Sequence, residues 1–195
     1  MGVNCYILAA ARDSKAIIID PGDSERKIRQ VLDKYKLTPV FIINTHGHYD
    51  HIGANDKFGL PVYVHKADLA MLKDPMLNLS GLFASPYEVK SEIKILEDNQ
   101  IIELDGIRLQ VLHVPGHTPG GIALLLLEPK DKKIVFTGDT LFCQGVGRSD
   151  LIGGDEDLLR LSIRDRLFTL SDGTIICPGH GELSTIGEEK ANGVI

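Results

Sequence analysis

Short apolar stretches rich in isoleucine, valine and leucine recur along the chain, each closed off by Gly, Pro, Asn or Asp. That punctuation is the signature of strands. It predicts strands over residues 16–19, 40–44, 61–64, 101–104, 107–113, 122–127, 134–137 and 174–177. A different period appears between some of them. Ile28, Val31, Leu32 and Tyr35 share one helical face behind the polar start Asp23 and Ser24, and Leu159, Ile163 and Leu167 do the same behind the acidic turn Asp155 to Asp157. Thr185 followed by Glu188 has capping-box spacing, which predicts a last short helix running to about Asn192. The runs 101–104 and 107–113 face each other across Asp105-Gly106 and read as a hairpin, so the sheet is not purely parallel. The expected class is a layered, mixed α/β domain.

A chain of 195 residues is the size of one domain, and one domain over residues 1–195 is expected. With 43% hydrophobic and 25% charged residues the composition is that of a globular protein, and no apolar run reaches the roughly 20 residues of a membrane span. The first eleven residues lack a basic and then apolar leader pattern, so a cytoplasmic location is expected. Cys5, Cys143 and Cys177 are odd in number and far apart, which argues against a disulfide framework or a thiolate zinc site and predicts small buried apolar residues. A formal charge of −6 without a basic block disfavours nucleic acid and anionic membranes and favours a small-molecule substrate. The irregular stretch 74–92 holds Met76, Leu77, Leu79, Leu82, Phe83 and Tyr87, so it either packs on the body or lines a pocket or a partner surface.

The chemistry concentrates in Thr45-His46-Gly47-His48-Tyr49-Asp50-His51, directly after a predicted strand. His46 and His48 are two apart on extended chain and can point to one side; a helical turn then brings His51 round to the face of His48. Neutral imidazole and carboxylate are what zinc takes when no thiolate is offered. Two more histidines stand in glycine-proline turns after strands, His117 in Pro115-Gly116-His117-Thr118-Pro119-Gly120 and His180 in Pro178-Gly179-His180-Gly181. Asp139, in Thr137-Gly138-Asp139-Thr140, also follows a strand. A carboxylate has two oxygens for two metals, so Asp139 and Asp50 are both candidates to bridge. His65 and His113 are left over: His65 reads as a histidine satisfied by backbone, and His113, close to the His117 turn, reads either as a support for the ligands or as a strand-end histidine satisfied by backbone.

In order and spacing, Ile18-Ile19-Asp20-Pro21-Gly22, the His46 to His51 segment and the turns of His117, Asp139 and His180 resemble the motifs of the metallo-β-lactamase superfamily. Asn4-Cys5-Tyr6, Gly145-Val146-Gly147-Arg148 and Pro178-Gly179-His180-Gly181 are similar to its glyoxalase II-like branch, in a small single-domain form without that enzyme's helical C-terminal region. The resemblance implies an αββα sandwich with two zinc ions, or iron or manganese in their place, at one edge. It implies that His46, His48 and His117 hold the first ion, that Asp50, His51 and His180 hold the second, that Asp139 bridges, and that Asp20 orients the ligands.

The expected activity is hydrolysis of thioesters of the S-acylglutathione type by a metal-bridging hydroxide, with Asp50 and Asp139 as the catalytic carboxylates. A thiolate leaving group of pKa about 8.5 needs little help from an acid. Arg148 is placed to meet a substrate carboxylate, with an ion pair to Asp150 as the alternative. Gly147-Arg148-Ser149-Asp150 also resembles the mononuclear-iron persulfide dioxygenases of the same superfamily, the alternative reading.

Overall fold

The computed structural model describes residues 2–128 and 133–195; Met1, where the leader comparison starts, and residues 129–132 lie outside it. The described elements run β1 (Tyr6–Ala9), β2 (Lys15–Ile19), α1 (Glu25–Tyr35), β3 (Thr38–Ile43), α2 (Tyr49–Ile52), β4 (Val62–His65), α3 (Ser80–Phe83), β5 (Ile93–Leu96), β6 (Ile101–Leu104), β7 (Ile107–His113), β8 (Ile122–Glu128), β9 (Ile134–Gly138), β10 (Leu141–Phe142), β11 (Gly145–Val146), α4 (Glu156–Ser162), β12 (Ile175–Pro178), β13 (Ser184–Thr185) and α5 (Ile186–Asn192).

They form two main sheets. The first has the order β1-β2-β3-β4-β5, antiparallel at β1 and parallel beyond it. The second has the order β13-β12-β9-β8-β7-β6, with one parallel pair, β12 and β9. Side chains alternate across each sheet. Ile17, Ile19 and Ile43 of the first sheet meet Leu109, Leu124 and Phe136 of the second in the central layer. Ala16, Ile18 and Ile42 face the opposite way, onto Ile28 and Leu32 of α1. On the far side Leu112, Val135 and Ile176 pack under Leu159, Ile163 and Ile186. Helix, sheet, sheet and helix are therefore stacked as the resemblance implies. Because both faces of β2 are covered, its sequence is a continuous apolar run rather than an alternation.

Local signals explain most boundaries. Asp105 and Gly106 both take positive φ, 46° and 87°, the geometry of a two-residue hairpin turn, and Leu104 pairs with Ile107 as expected. Asp155 caps α4 through the Leu158 N–H, and Thr185 caps α5 through the Glu188 N–H. The face of α4 continues through a π-type turn, Ile163–Leu167, which keeps both of those residues buried. Val31 departs from expectation: it is 40% exposed, leaving Ile28 and Leu32 as the buried face of α1. Five described strands escape the sequence pattern. β10, β11 and β13 are two residues each, too short to show a period, while β1 and β5 are the two edges of the first sheet, where the side chains are only partly covered and the hydrophobic signal is correspondingly weak. No helix among the described residues is long and apolar enough to cross a membrane.

Leu109 is fully buried between the sheets. Leu109→Ala is expected to cost about 2–5 kcal/mol through lost contacts and the cavity left behind. Urea unfolding checks it, as a lower midpoint with an unchanged slope.

Candidate metal centre

The ends of β3, β7, β9 and β12 deliver the polar residues to one edge of the sandwich. His46 and His48 follow β3, with His48 in an extended conformation that starts α2, and α2 carries Asp50 and His51. His117 lies in the turn from β7 to β8, Asp139 follows β9, and His180 follows β12. Gly179 allows the last two turns to close on each other, since a Cβ there would run into the Asp139 carboxylate and the His51 ring.

All seven predicted ligands are brought together. Their donor atoms fall into overlapping groups, each within 4.8 Å: His46, His48 and His117; His46, His51 and Asp139; and Asp50, His51 and His180. His48 Nδ1 is 2.9 Å from His117 Nε2, and His51 Nε2 is 3.4 Å from His180 Nε2. Asp139 stands between the groups, with Oδ1 at 3.2 Å from His51 Nε2 and Oδ2 at 3.7 Å from His117 Nε2 and 3.5 Å from His180 Nε2. Asp50 Oδ2 sits 3.3 Å from His180 and 4.0 Å from His51. Of the two carboxylates, Asp139 thus has the position of a bridge. His46 Nε2, His48 Nε2 and Asp139 Oδ1 are buried without a hydrogen-bond partner. Such atoms are costly to desolvate unless something else meets them, and a divalent cation fits this donor set.

The remaining ring nitrogens are tied from outside. Asp20 Oδ2 accepts from the Thr45 hydroxyl at 2.6 Å and lies 3.0 Å from His51 Nδ1, while Oδ1 accepts the Thr45 N–H at 2.8 Å. The Thr45 hydroxyl in turn meets His46 Nδ1 at 3.1 Å. His117 Nδ1 is 2.7 Å from the Arg148 carbonyl, and His180 Nδ1 is 3.2 Å from the Gly2 carbonyl. These contacts set ring orientation and leave Nε2 facing inward in His46, His51, His117 and His180. The His180 turn is clasped by the first residues: the Asn4 side chain donates to the Pro178 and Gly181 carbonyls, the Asn4 N–H to Gly179, and the Tyr6 hydroxyl to Pro178 at 2.7 Å.

Without cations the two groups differ in charge. Burial and neighbouring imidazoles push His46 well below the ordinary histidine value and His48 down to about 3, and burial also lowers His117. Burial likewise opposes charge on His51, but Asp139 and Asp20 outweigh it and hold His51 well above its ordinary value. Hydrogen bonds to Asp139 and Asp50 raise His180 to about 9. The first group is therefore neutral and ready for a cation at pH 7, whereas the second carries protons that a cation must displace.

Sequence reading missed Asp68, in the turn after β4. Its fully buried carboxylate accepts from the Gly47 N–H at 3.0 Å, the Thr118 hydroxyl at 2.8 Å and the Gly120 N–H at 2.6 Å. Gly120 leaves no room for a Cβ against it. Asp68 thus ties the His46–His48 loop to the His117 turn across the two sheets. A lone aspartate after a strand reads as a turn residue; only its position three residues past a strand end on the same edge hinted at more.

Arg148 forms a two-pronged pair with Asp150, both bonds 2.8 Å, at the border of the cleft. Cys177 is buried, but Cys5 and Cys143 are only partly so, and Cys143 lines the cleft instead of the core. His65 and His113 stack with centroids 4.0 Å apart, and His113 Nε2 holds the Pro119 carbonyl at 2.9 Å, so neither joins the ligand groups. Stretch 74–92 does two things: Tyr87 packs on the body, while Leu79 and Phe83 line the cleft.

Two outcomes are expected. Affinity of the Asp50, His51 and His180 group for a cation rises with pH from neutrality through about 9, where His180 loses its proton, with proton release at pH 7, while the first group is insensitive to pH above neutrality; calorimetry in buffers of different ionisation enthalpy reads both. Asp68→Ala strands two N–H groups and a hydroxyl and weakens the first cation by about 10- to 100-fold, measured by chelator competition.

The metallo-beta-lactamase superfamily model matches residues 1–180. Curated relatives include an uncharacterised protein of Mycobacterium tuberculosis, 44% identical, with 97% of this chain and 91% of the relative covered. The hydroxyacylglutathione hydrolase GloC of Haemophilus influenzae is 35% identical, with 91% and 85% covered. Among solved structures, the BLEG-1 B3 metallo-beta-lactamase superposes with a TM-score of 0.88 at 38% identity, covering 97% of this chain and 91% of that one. TTHA1623 in a di-iron-bound form gives 0.80 at 35%, covering 97% and 93%. ETHE1 from Myxococcus xanthus gives 0.75 at 28%, covering 98% and 78%. With its motifs gathered at one edge of the sandwich and relatives matched nearly end to end, the chain belongs to the metallo-beta-lactamase superfamily.

Proposed function

We propose that the chain is a binuclear metal hydrolase acting on thioesters of the S-acylglutathione type, as one domain over residues 1–195. The observation that carries this is the convergence of seven donors from separate turns, with buried ligand atoms left unpartnered and Asp139 between two groups. His46, His48 and His117 would hold one ion, and Asp50, His51 and His180 the other. Imidazole and carboxylate donors without thiolate suit zinc, with iron or manganese as alternatives. When bound, such a pair supplies Lewis acidity toward a carbonyl and a water of depressed pKa.

The chain's own residues hold and shape this centre. Asp20 and Thr45 fix the rings of His46 and His51, and the Arg148 carbonyl fixes His117. A cleft of about 690 Å³ opens over His48, Asp50, His117, Asp139 and His180. Among the described residues no serine hydroxyl or cysteine thiol hydrogen-bonds a histidine, so no side-chain nucleophile competes for the role. Thioesters suit such a centre because their leaving thiolate departs without a dedicated acid. The GloC relative, named for hydroxyacylglutathione hydrolysis, supports the same substrate class.

A second reading, a mononuclear-iron persulfide dioxygenase, draws on Gly147-Arg148-Ser149-Asp150 and the likeness to ETHE1. Hydrolysis of S-lactoylglutathione against other thioesters, lactones and β-lactams, with metal content measured on the same sample, separates the two. Two ions per chain and thioester turnover are expected; one iron per chain with oxygen uptake on glutathione persulfide would reverse the assignment. His48→Ala should lower turnover on the order of a thousandfold with the circular dichroism spectrum unchanged.

A further inference from the structure

The connection from β4 to β5 is built more firmly than its lack of regular structure suggests. Asn78 is fully buried, and its side chain donates to the Met71 and Tyr87 carbonyls, both at 2.9 Å, and accepts the Ser80 N–H at 2.9 Å. Its carbonyl accepts the Tyr49 N–H at 2.9 Å, which fastens the connection to the helix that carries Asp50 and His51. Leu79, next in the chain, sits at φ 69°, a left-handed conformation that a branched side chain adopts at a cost. Strain held by over-determined surroundings concentrates at ligand-contacting segments.

What this arrangement presents is apolar. Leu79 and Phe83 line the cleft beside Tyr49 and Asp50, and Phe142, Val146 and Leu151 line it from other segments. Phe83 is 66% exposed and its neighbour Leu82 52%, an unusual outlay of large apolar surface beside a polar centre. The charged groups of the cleft outside the ligand groups are Arg148, already matched by Asp150, and Glu182. A carboxylate-bearing part of a substrate has nothing to gain along Leu79 and Phe83, whereas an uncharged hydrocarbon part does.

We infer that the Leu79–Phe83 wall is an acyl-chain subsite, selecting thioesters whose acyl group is an apolar chain of several carbons over the short hydroxyacyl group of lactoyl. The thioester reading supplies the identity of this occupant: the carrier's carboxylates stay at the polar border near Arg148, and the acyl chain takes the apolar wall.

The test uses the metal-loaded protein with S-acetyl-, S-butanoyl-, S-hexanoyl- and S-lactoylglutathione, and in parallel the binding of the non-hydrolysable thioethers S-methyl- to S-hexylglutathione by calorimetry. Burial of each methylene should raise kcat/KM and thioether affinity about two- to fourfold. Phe83→Ala, at an exposed position, should cut the hexanoyl-to-acetyl ratio about tenfold, and Leu79→Ala should act in the same direction. Flat dependence on chain length in both measurements, or a ratio unmoved by Phe83→Ala, overturns the subsite even if thioesters are hydrolysed. Thioether binding that strengthens with chain length without any thioester turnover retains the subsite for an apolar chain and removes the thioesterase reading instead.

Discussion

Packing five imidazoles and two carboxylates into a few ångströms of largely buried space is electrostatically awkward, and the rest of the sandwich edge is arranged to hold them there. The Asp20 carboxylate carries much of that burden. It sits at the end of β2 with φ 49°, which aspartate tolerates better than most residues, and so turns back to grip Thr45 twice and His51 once. Through Thr45 it also sets His46. One carboxylate therefore orients a histidine of each group, and its partners all lie in the segment that follows β3, the strand beside its own.

The two sheets make separate contributions, joined by the apolar layer between them and, at the edge that holds the ligands, by buried hydrogen bonds. His46, His48, Asp50 and His51 come from the first sheet, and His117, Asp139 and His180 from the second. A sliding of one sheet over the other would separate the ligands even with every strand intact. Asp68 resists that movement by bonding Gly47 on one side and Thr118 and Gly120 on the other. Its burial raises its pKa, opposed by those same hydrogen bonds, which is the mark of a carboxylate kept inside for its acceptors.

The donors were legible in the sequence because they cluster: His46 to His51 is dense enough to stand out, and His117, Asp139 and His180 each sit in a glycine-containing turn after an apolar run. The strands β6 to β9 and β12 of the second sheet and the central strands of the first were legible for a similar reason, since burial writes itself as isoleucine, valine and leucine; the two-residue β13 was not. The edge strands β1 and β5 were not, because partial burial leaves a mixed pattern. Asp68 and Asn78 were hidden for another reason. Their importance lies in which distant backbone groups they reach, and a single polar residue in a turn says nothing about that. Asn4 and Tyr6 could be matched to a motif, but that they clasp the His180 turn needed the folded arrangement.

That clasp makes the two halves of the centre unequal. The Asn4 amide and the Pro178 carbonyl it holds are separated by 174 positions, so a segment leading into the first sheet finishes a turn that follows a strand of the second. His180 lies inside that clasped turn, whereas His46, His48 and His117 lie outside it. Loosening the contact between the two segments therefore bears first on the group of Asp50, His51 and His180, and leaves the three-histidine group standing on its own supports.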